Sequence, residues 1–245
     1  MSLLSNAEGR QPHRRLRVAF FGGSFDPPHL GHLEVARAAQ AALGLDTVFF
    51  APVGEQPLKP QGSTAAFAHR LAMTRLAIAN DPSFAVSLAD EPKSSGAPNY
   101  TFDTLLALRE QLPSDGVLFC LMGADAFALL RRWHRAAEIP FVAPLIVASR
   151  SSESLSQLND LKVLFPEGLI LEPLRESDKS ASQFDLRRYT LRNPSGQQSP
   201  FYLLPGLDID ISASDIRDRI RAQTPQPAQL PAAVSEYIRV HRLYS

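Results

Sequence analysis

The stretch Phe20-Phe21-Gly22-Gly23-Ser24-Phe25-Asp26-Pro27-Pro28-His29-Leu30-Gly31-His32 constrains the fold more than any other. Upstream, Leu16-Arg17-Val18-Ala19-Phe20-Phe21 is a short apolar run closed by paired glycines, the pattern of a core strand in a parallel sheet running into a turn. Downstream, Leu30, Leu33, Val35, Ala36, Ala39 and Leu43 recur at helical spacing up to Gly44, a suitable C-cap. The unit is therefore strand, loop, helix. Gly22 and Gly23 let backbone amides approach a ligand closely, and the helix start offers unpaired N–H groups and partial positive charge to an anion. If the helix begins near Pro28, His29 and His32 share one face of its first turn and can grip the same phosphate. A single histidine is ordinarily a surface or satisfied core residue. Two at this spacing, after Gly-Gly and before a helix, make the phosphate site the better reading.

The rest of the chain repeats the alternation. Strands are expected at Asp46–Ala51, Phe84–Leu88, Val117–Met122 and Phe141–Ala148, the last interrupted by Pro144, with helices over 65–80, from Thr101 as cap to about Leu112, and over 124–133. Five strands separated by helices, without an Asn-Gly or Asp-Gly hairpin turn between alternating apolar runs, argue for an α/β fold with a Rossmann-like, doubly wound parallel sheet. Residues 151 to about 200 are less regular. A helix is expected from Leu155 to Leu164. The polar run from Arg175 to Ser199 reads either as a flexible insertion or as an ordered lid, and its composition favours the flexible one. Phe201–Leu204 returns to a strand pattern, Ser212 and Asp215 are spaced like a capping box for a helix from about Ile211, and a last helix runs from Ala232 to His241 after a linker at 224–227. One domain over residues 16–245 is expected, with a small C-terminal helical part and a flexible extension over 1–15.

Charge and cysteine content narrow the chemistry. With 25 basic and 25 acidic residues, nothing in the overall balance calls for nucleic acid or a membrane as partner, so local charge must bind any anion. The single cysteine, Cys120, lies in an apolar run, which removes an intrachain disulfide or a cysteine metal site. No apolar stretch reaches the ~20 residues a bilayer span needs, and no apolar signal region is visible near Met1. A cytoplasmic enzyme is the default.

A second phosphate-binding candidate is Ile211-Ser212-Ala213-Ser214-Asp215-Ile216-Arg217, where hydroxyls at a helix start precede a planar cation. Alone it reads as an ordinary N-cap with a solvated arginine. Trp133 offers a flat face for a pyridinium ring, or it packs the end of a helix. Asp125 opens its helix and serves as a cap by itself.

The first stretch resembles the G-x-F-D-P-x-H-x-G-H signature of the nucleotidylyltransferase superfamily, and the second resembles its late I-S-S/A-T-x-x-R signature, with Ser214 where Thr is usual. Further segments look, in order, like the bacterial nicotinate-nucleotide adenylyltransferases: Arg70-Leu71-Ala72-Met73, Tyr100-Thr101-Phe102-Asp103-Thr104-Leu105, Met122-Gly123-Ala124-Asp125-Ala126-Phe127 with Trp133-His134, and Leu230-Pro231 through Tyr237 to Tyr244. The resemblance covers about 17–150 and 201–244. It implies transfer of AMP from ATP to nicotinate mononucleotide, with Mg²⁺ carried on the ATP phosphates and no metal held by the protein itself. It implies ATP contacts from Gly22, Gly23, Ser24, Phe25, His29, His32, Gly123, Asp125 (on the ribose), Ile211, Ser212, Ser214 and Arg217, and nicotinate mononucleotide contacts from Tyr100, Thr101 and Trp133. His29, His32 and Arg217 take the catalytic role of neutralising phosphate charge. Lys59 could join them, although the family usually carries P-P-H-K/R where this chain has Gln56-Pro57-Leu58-Lys59. An enzyme for nicotinamide mononucleotide or pantetheine phosphate, or a non-catalytic nucleotide-binding module, are the alternatives, and the chain is either a monomer or a homodimer.

Overall fold

The structure is a computed structural model that describes residues 15–59, 62–149, 161–173, 186–207, 211–224 and 229–245. Strand β1 (Arg17–Gly23) runs parallel to β2 (Thr47–Pro52) on one side and to β4 (Val117–Gly123) on the other. Beyond these lie the short edge strand β3 (Phe84–Val86) next to β2 and β5 (Leu145–Ala148) next to β4, both parallel. The sheet continues through β8 (Gln198–Leu204), β7 (Arg187–Arg192) and β6 (Ile170–Pro173), giving the order β3-β2-β1-β4-β5-β8-β7-β6. β8 joins β5 in parallel, whereas β7 and β6 are antiparallel to their neighbours.

Side-chain alternation along the strands builds two cores, one per face. Val18 and Phe20 of β1, Leu118, Cys120 and Met122 of β4, and Phe201 and Leu203 of β8 face the core covered by α3 (Thr101–Gln111), α4 (Ala124–Ala128) and α5 (Ile139–Val142). Ala19, Phe21, Phe119, Leu121, Ile146 and Leu204 face the opposite core, covered by α1 (Leu30–Leu43) and the end of α2 (Phe67–Ile78). Strands buried on both faces are why their sequences read as unbroken apolar runs. A third cluster joins Ala65 and Met73 to Val234, Ile238 and Tyr244, tying α2 to α7 (Ala232–His241); α6 (Ala213–Arg221) sends in Ile220. The α/β reading and the parallel core with helices on both faces are borne out. Among the described residues no helix is long and apolar enough to cross a membrane.

Four local expectations need correction. Residues 141–144 are not strand: Pro140 opens the one-turn helix α5 and Pro144 ends it, so β5 starts at Leu145. The polar run is not uniformly flexible, because residues 187–204 form an antiparallel hairpin. Tyr189 and Leu191 alternate inward between arginines, and Asn193-Pro194-Ser195-Gly196 turns the chain, with Gly196 at a φ of 85° and its N–H on the carbonyl of Asn193. Tyr100, not Thr101, is the N-cap of α3, in extended conformation. Ser212 does cap α6, but without a side-chain hydrogen bond, so the capping box does not form. The extension over 1–14, most of the helix expected at 155–164, the polar residues 174–185 and the linker after Thr224 lie outside the described residues.

The order of strands sets the place of the site. The chain leaves β1 toward β2 on one side and returns to β4 on the other, so the carboxyl ends of β1 and β4 flank a topological switch point, where open α/β sheets leave a ligand crevice. Gly22 and Gly23 end β1, and Gly123 ends β4.

Candidate active site

The loop after β1 is held in one shape from several sides. Phe25 takes a positive φ of 48° and packs, 1% exposed, between Phe21 and Phe50. Gly22 cannot be replaced without moving the Phe20 ring, which a Cβ would meet at 2.8 Å. Helix α1 begins at Leu30 instead of near Pro28, and His29 is its N-cap. The two imidazoles nevertheless come together, stacked with centroids 3.7 Å apart. The backbone N–H of His29 donates to Nδ1 of His32 at 3.1 Å, which places the proton of a neutral His32 ring on Nε2, a donor. The edge of Phe25 meets the same ring at 5.0 Å and fixes its plane.

Cations reach this loop from two distant parts of the chain. Arg217 on α6 donates through Nη1 to the carbonyl of Asp26 at 2.8 Å and through Nη2 to Ser214 Oγ at 3.1 Å. Lys59, from the loop after β2, donates to Ser24 Oγ at 2.8 Å, beside Gln56 Nε2 at 2.7 Å. Ser24 Oγ thus accepts twice, and its own proton is left to donate. Burial, then the nearby Arg217 guanidinium, holds the Lys59 ammonium below the usual lysine range. Stacked imidazoles, a guanidinium, an ammonium and a serine hydroxyl meet at one glycine-rich loop, a set of donors whose chemistry suits phosphate oxygens.

Beneath the loop lies a polar scaffold that the sequence reading did not single out. The Asp26 carboxylate accepts the N–H of Thr64 at 2.6 Å, the N–H of Ala65 at 3.1 Å and the phenol of Tyr244 at 2.7 Å. Arg70, 2% exposed, donates to the carbonyls of Ala65, Ser24 and Val53 at 3.1, 2.7 and 2.7 Å, pinning the ends of β1 and β2 to α2. Asn99 does the same for the loop bearing Lys59: its side chain accepts from the N–H of Glu55 and donates to the carbonyl of Glu91. Gly54 leaves no room there for a side chain, since a Cβ would lie 2.6 Å from the Pro92 backbone. The buried Asp90 carboxylate takes the hydroxyl of Thr104, and burial pushes its proton affinity up.

The remaining candidates lie at the start of α3, after β4 and at the start of α6. The ring of Tyr100, at the start of α3, lies on His134 with centroids 4.6 Å apart, and the Arg135 guanidinium sits 3.8 Å over Phe102. These contacts bring the Tyr100-Thr101 helix start to the segment that carries Trp133. Trp133 is half-buried against the β4 side of the core, so part of its surface packs as the alternative reading had it. Space is open around Gly123, where a Cβ would meet nothing within 4 Å. Asp125 is exposed in the first turn of α4. Ser214 is exposed at the α6 start, and Ile211 and Ser212 are half-buried beside it.

Comparison with known proteins decides the family. Residues 20–219 match the cytidylyltransferase-like family. The probable nicotinate-nucleotide adenylyltransferase of Roseiflexus sp. (strain RS-1) is 35% identical over 229 residues, 93% of this chain and 97% of the relative. The chain belongs to the nicotinate-nucleotide adenylyltransferases. A second probable member, from Trichlorobacter lovleyi, is 35% identical over 94% of this chain and 99% of its own length. The fold agrees: a Plasmodium falciparum nicotinic acid mononucleotide adenylyltransferase complexed with NaAD superposes with a TM-score of 0.65 at 16% identity, covering 94% of this chain and 98% of that one. In this adenylyltransferase the two signature segments meet in one hydrogen bond between Arg217 and Asp26, 191 residues apart. What sequence reading missed is the support: Asp26 and Arg70 sat inside quoted segments, but nothing in their spacing announced that Tyr244 would reach the first and that the second would be buried.

Proposed function

We propose that the chain transfers the adenylyl group of ATP to nicotinate mononucleotide, releasing pyrophosphate and forming nicotinate adenine dinucleotide, a step of NAD synthesis. The observation that carries this reading is the convergence of His29, His32, Arg217 and Lys59 on the loop after β1. The triphosphate lies along the loop, with Gly22, Gly23, Ser24, Ser212 and Ser214 as its near neighbours and the ribose toward Gly123 and Asp125. The nicotinate ring lies against Trp133, its carboxylate toward the amides at the start of α3.

A phosphate oxygen of the mononucleotide attacks the α-phosphorus of ATP in line. The bond from that phosphorus to the bridging oxygen breaks, and pyrophosphate leaves with the electron pair. The attacking oxygen is already ionised, so no general base is needed and no covalent enzyme intermediate forms. His32 Nε2 and Arg217 sit where charge grows on the α-phosphate and the departing pyrophosphate, and catalysis is positioning and charge neutralisation. The side chains around the loop are mainly hydrogen-bond donors, which suit phosphate oxygens and not a cation. A Mg²⁺ held by the triphosphate and water, when bound, would supply further neutralising charge.

Purified protein assayed with ATP and either nicotinate or nicotinamide mononucleotide, following pyrophosphate, tests the reading. Preferred turnover of the acid is expected. Equal or better use of the amide, or turnover of pantetheine phosphate alone, would overturn it.

A further inference from the structure

Tyr244 lies beyond α7, far in sequence from the phosphate loop, yet its hydroxyl is aimed into that loop's support. Its ring is 8% exposed, packed with Ala65, Met73, Val234 and Ile238. Its Oη donates to Asp26 Oδ1 at 2.7 Å, an oxygen it shares with the Ala65 N–H, while the Thr64 N–H donates to Oδ2, so the phenol is one of three donors to the carboxylate. Around this buried anion stand three cations: Arg217 on the carbonyl of Asp26 itself, and Lys59 and Arg70 on the hydroxyl and the carbonyl of Ser24, two residues away. Their described hydrogen bonds go elsewhere than to the carboxylate. Arg70 donates to three carbonyls, Lys59 to Ser24, and Arg217 to the carbonyl of Asp26 and to Ser214.

A buried carboxylate that loses one of its three donors draws more strongly on the donors around it, and a cation is the strongest of these. Removing the phenol would leave such a carboxylate on the residue whose carbonyl Arg217 already holds, two residues from the Ser24 hydroxyl that holds Lys59. We propose that Tyr244 is a positioning residue of the transfer reaction: by donating to Asp26 it keeps that carboxylate from drawing Arg217 and Lys59 off the ATP phosphates. The proposal rests on the phosphate-binding roles given to those two cations above. Burial and the Asp26 carboxylate push the Tyr244 phenol far above the ordinary tyrosine range, so it remains a donor throughout any assay pH.

The test is a double-mutant cycle of Tyr244→Phe and Arg217→Lys, read as KM for ATP and kcat. Tyr244→Phe keeps the packed ring and removes one oxygen. It is expected to raise KM for ATP about five- to tenfold with kcat changed less than about twofold, while KM for the mononucleotide holds. In the Arg217→Lys background the same change is expected to add less than it does alone, about two- to threefold, because one of the two cations it would misplace is already altered. An unchanged KM for ATP in Tyr244→Phe, or losses that multiply in the double variant, would overturn the proposal. An Arg217→Lys enzyme with full activity would instead remove the phosphate role on which it stands. Val234→Ala loosens the same apolar cluster with the hydroxyl in place, and should lower the Tm without moving KM for ATP. A rise in KM equal to that of Tyr244→Phe would assign the effect to packing and overturn the proposal too.

Discussion

Arg217 donates to the backbone carbonyl of Asp26 at 2.8 Å, a bond that closes a gap of 191 residues and fixes the guanidinium at the loop after β1. The planar fork also reaches Ser214, so its orientation is set by two acceptors at once. A lysine ammonium cannot hold both and present a flat edge to a phosphate. Arg217→Lys should therefore lower kcat/KM for ATP by roughly 10²-fold, the loss expected when one donor to a developing charge goes. Steady-state kinetics check this, and a loss below about threefold would place Arg217 outside the phosphate site.

His32 contributes in a different way, as an oriented donor. Its Nδ1 is taken by the His29 backbone and its ring is held between Phe25 and His29. Both constraints aim Nε2. His32→Ala should cut turnover by about 10²- to 10³-fold with the far-ultraviolet circular dichroism unchanged. Activity near the parent's with normal dichroism would refute the assignment.

Much of this site was legible because its two signature segments are local. Gly-Gly, the His29 and His32 spacing and Ser212 to Arg217 each sit within one strand end or helix turn, where period and turn chemistry are readable. The scaffold was not, because its bonds join Asp26 to Tyr244 and Arg70 to Ser24 and Val53, pairs that no local period connects. In the fold, the same limit hid β7. Only Tyr189 and Leu191 are apolar among Arg187, Arg188, Thr190 and Arg192, and pairing with β8 makes them a strand.

Lys59 should leave a mark on the pH profile. Its proton affinity is lowered, chiefly by burial and then by Arg217, so it loses its charge at a lower pH than an ordinary lysine, for which the value is about 10.4. On the proposed phosphate role, charge on Lys59 favours ATP binding, so kcat/KM for ATP should fall as pH rises through that lowered value. Lys59→Arg stays protonated and should carry the alkaline limb to higher pH. A limb that does not move between the two enzymes would exclude Lys59 from phosphate binding.

Arg70 is a matter of stability before activity. It is 2% exposed and satisfies three backbone carbonyls. Arg70→Met keeps much of the stem but leaves those acceptors unmet, at about 1–3 kcal/mol for each one that water cannot reach. A total of roughly 3 kcal/mol would lower the Tm by about 6–12 °C in a domain of this size. Thermal denaturation within about 2 °C of the parent would show that water or a neighbouring donor takes over.

On the proposed reading, Trp133 touches one of the two substrates and not the other. The side chain packs partly on the β4 side of the core and stands next to His134, whose ring meets Tyr100 at the start of α3. An aromatic face against a pyridinium ring contributes about 0.5–2 kcal/mol, and packing loss at a half-buried site adds to that. Trp133→Ala should therefore raise KM for the mononucleotide about tenfold while KM for ATP moves less than about twofold. Trp133→Phe, which keeps a smaller aromatic face, should recover part of the loss. If the alanine variant weakens both substrates alike with a lowered Tm, Trp133 serves the core alone, and the nicotinate ring must lie elsewhere along the Tyr100 side of the crevice.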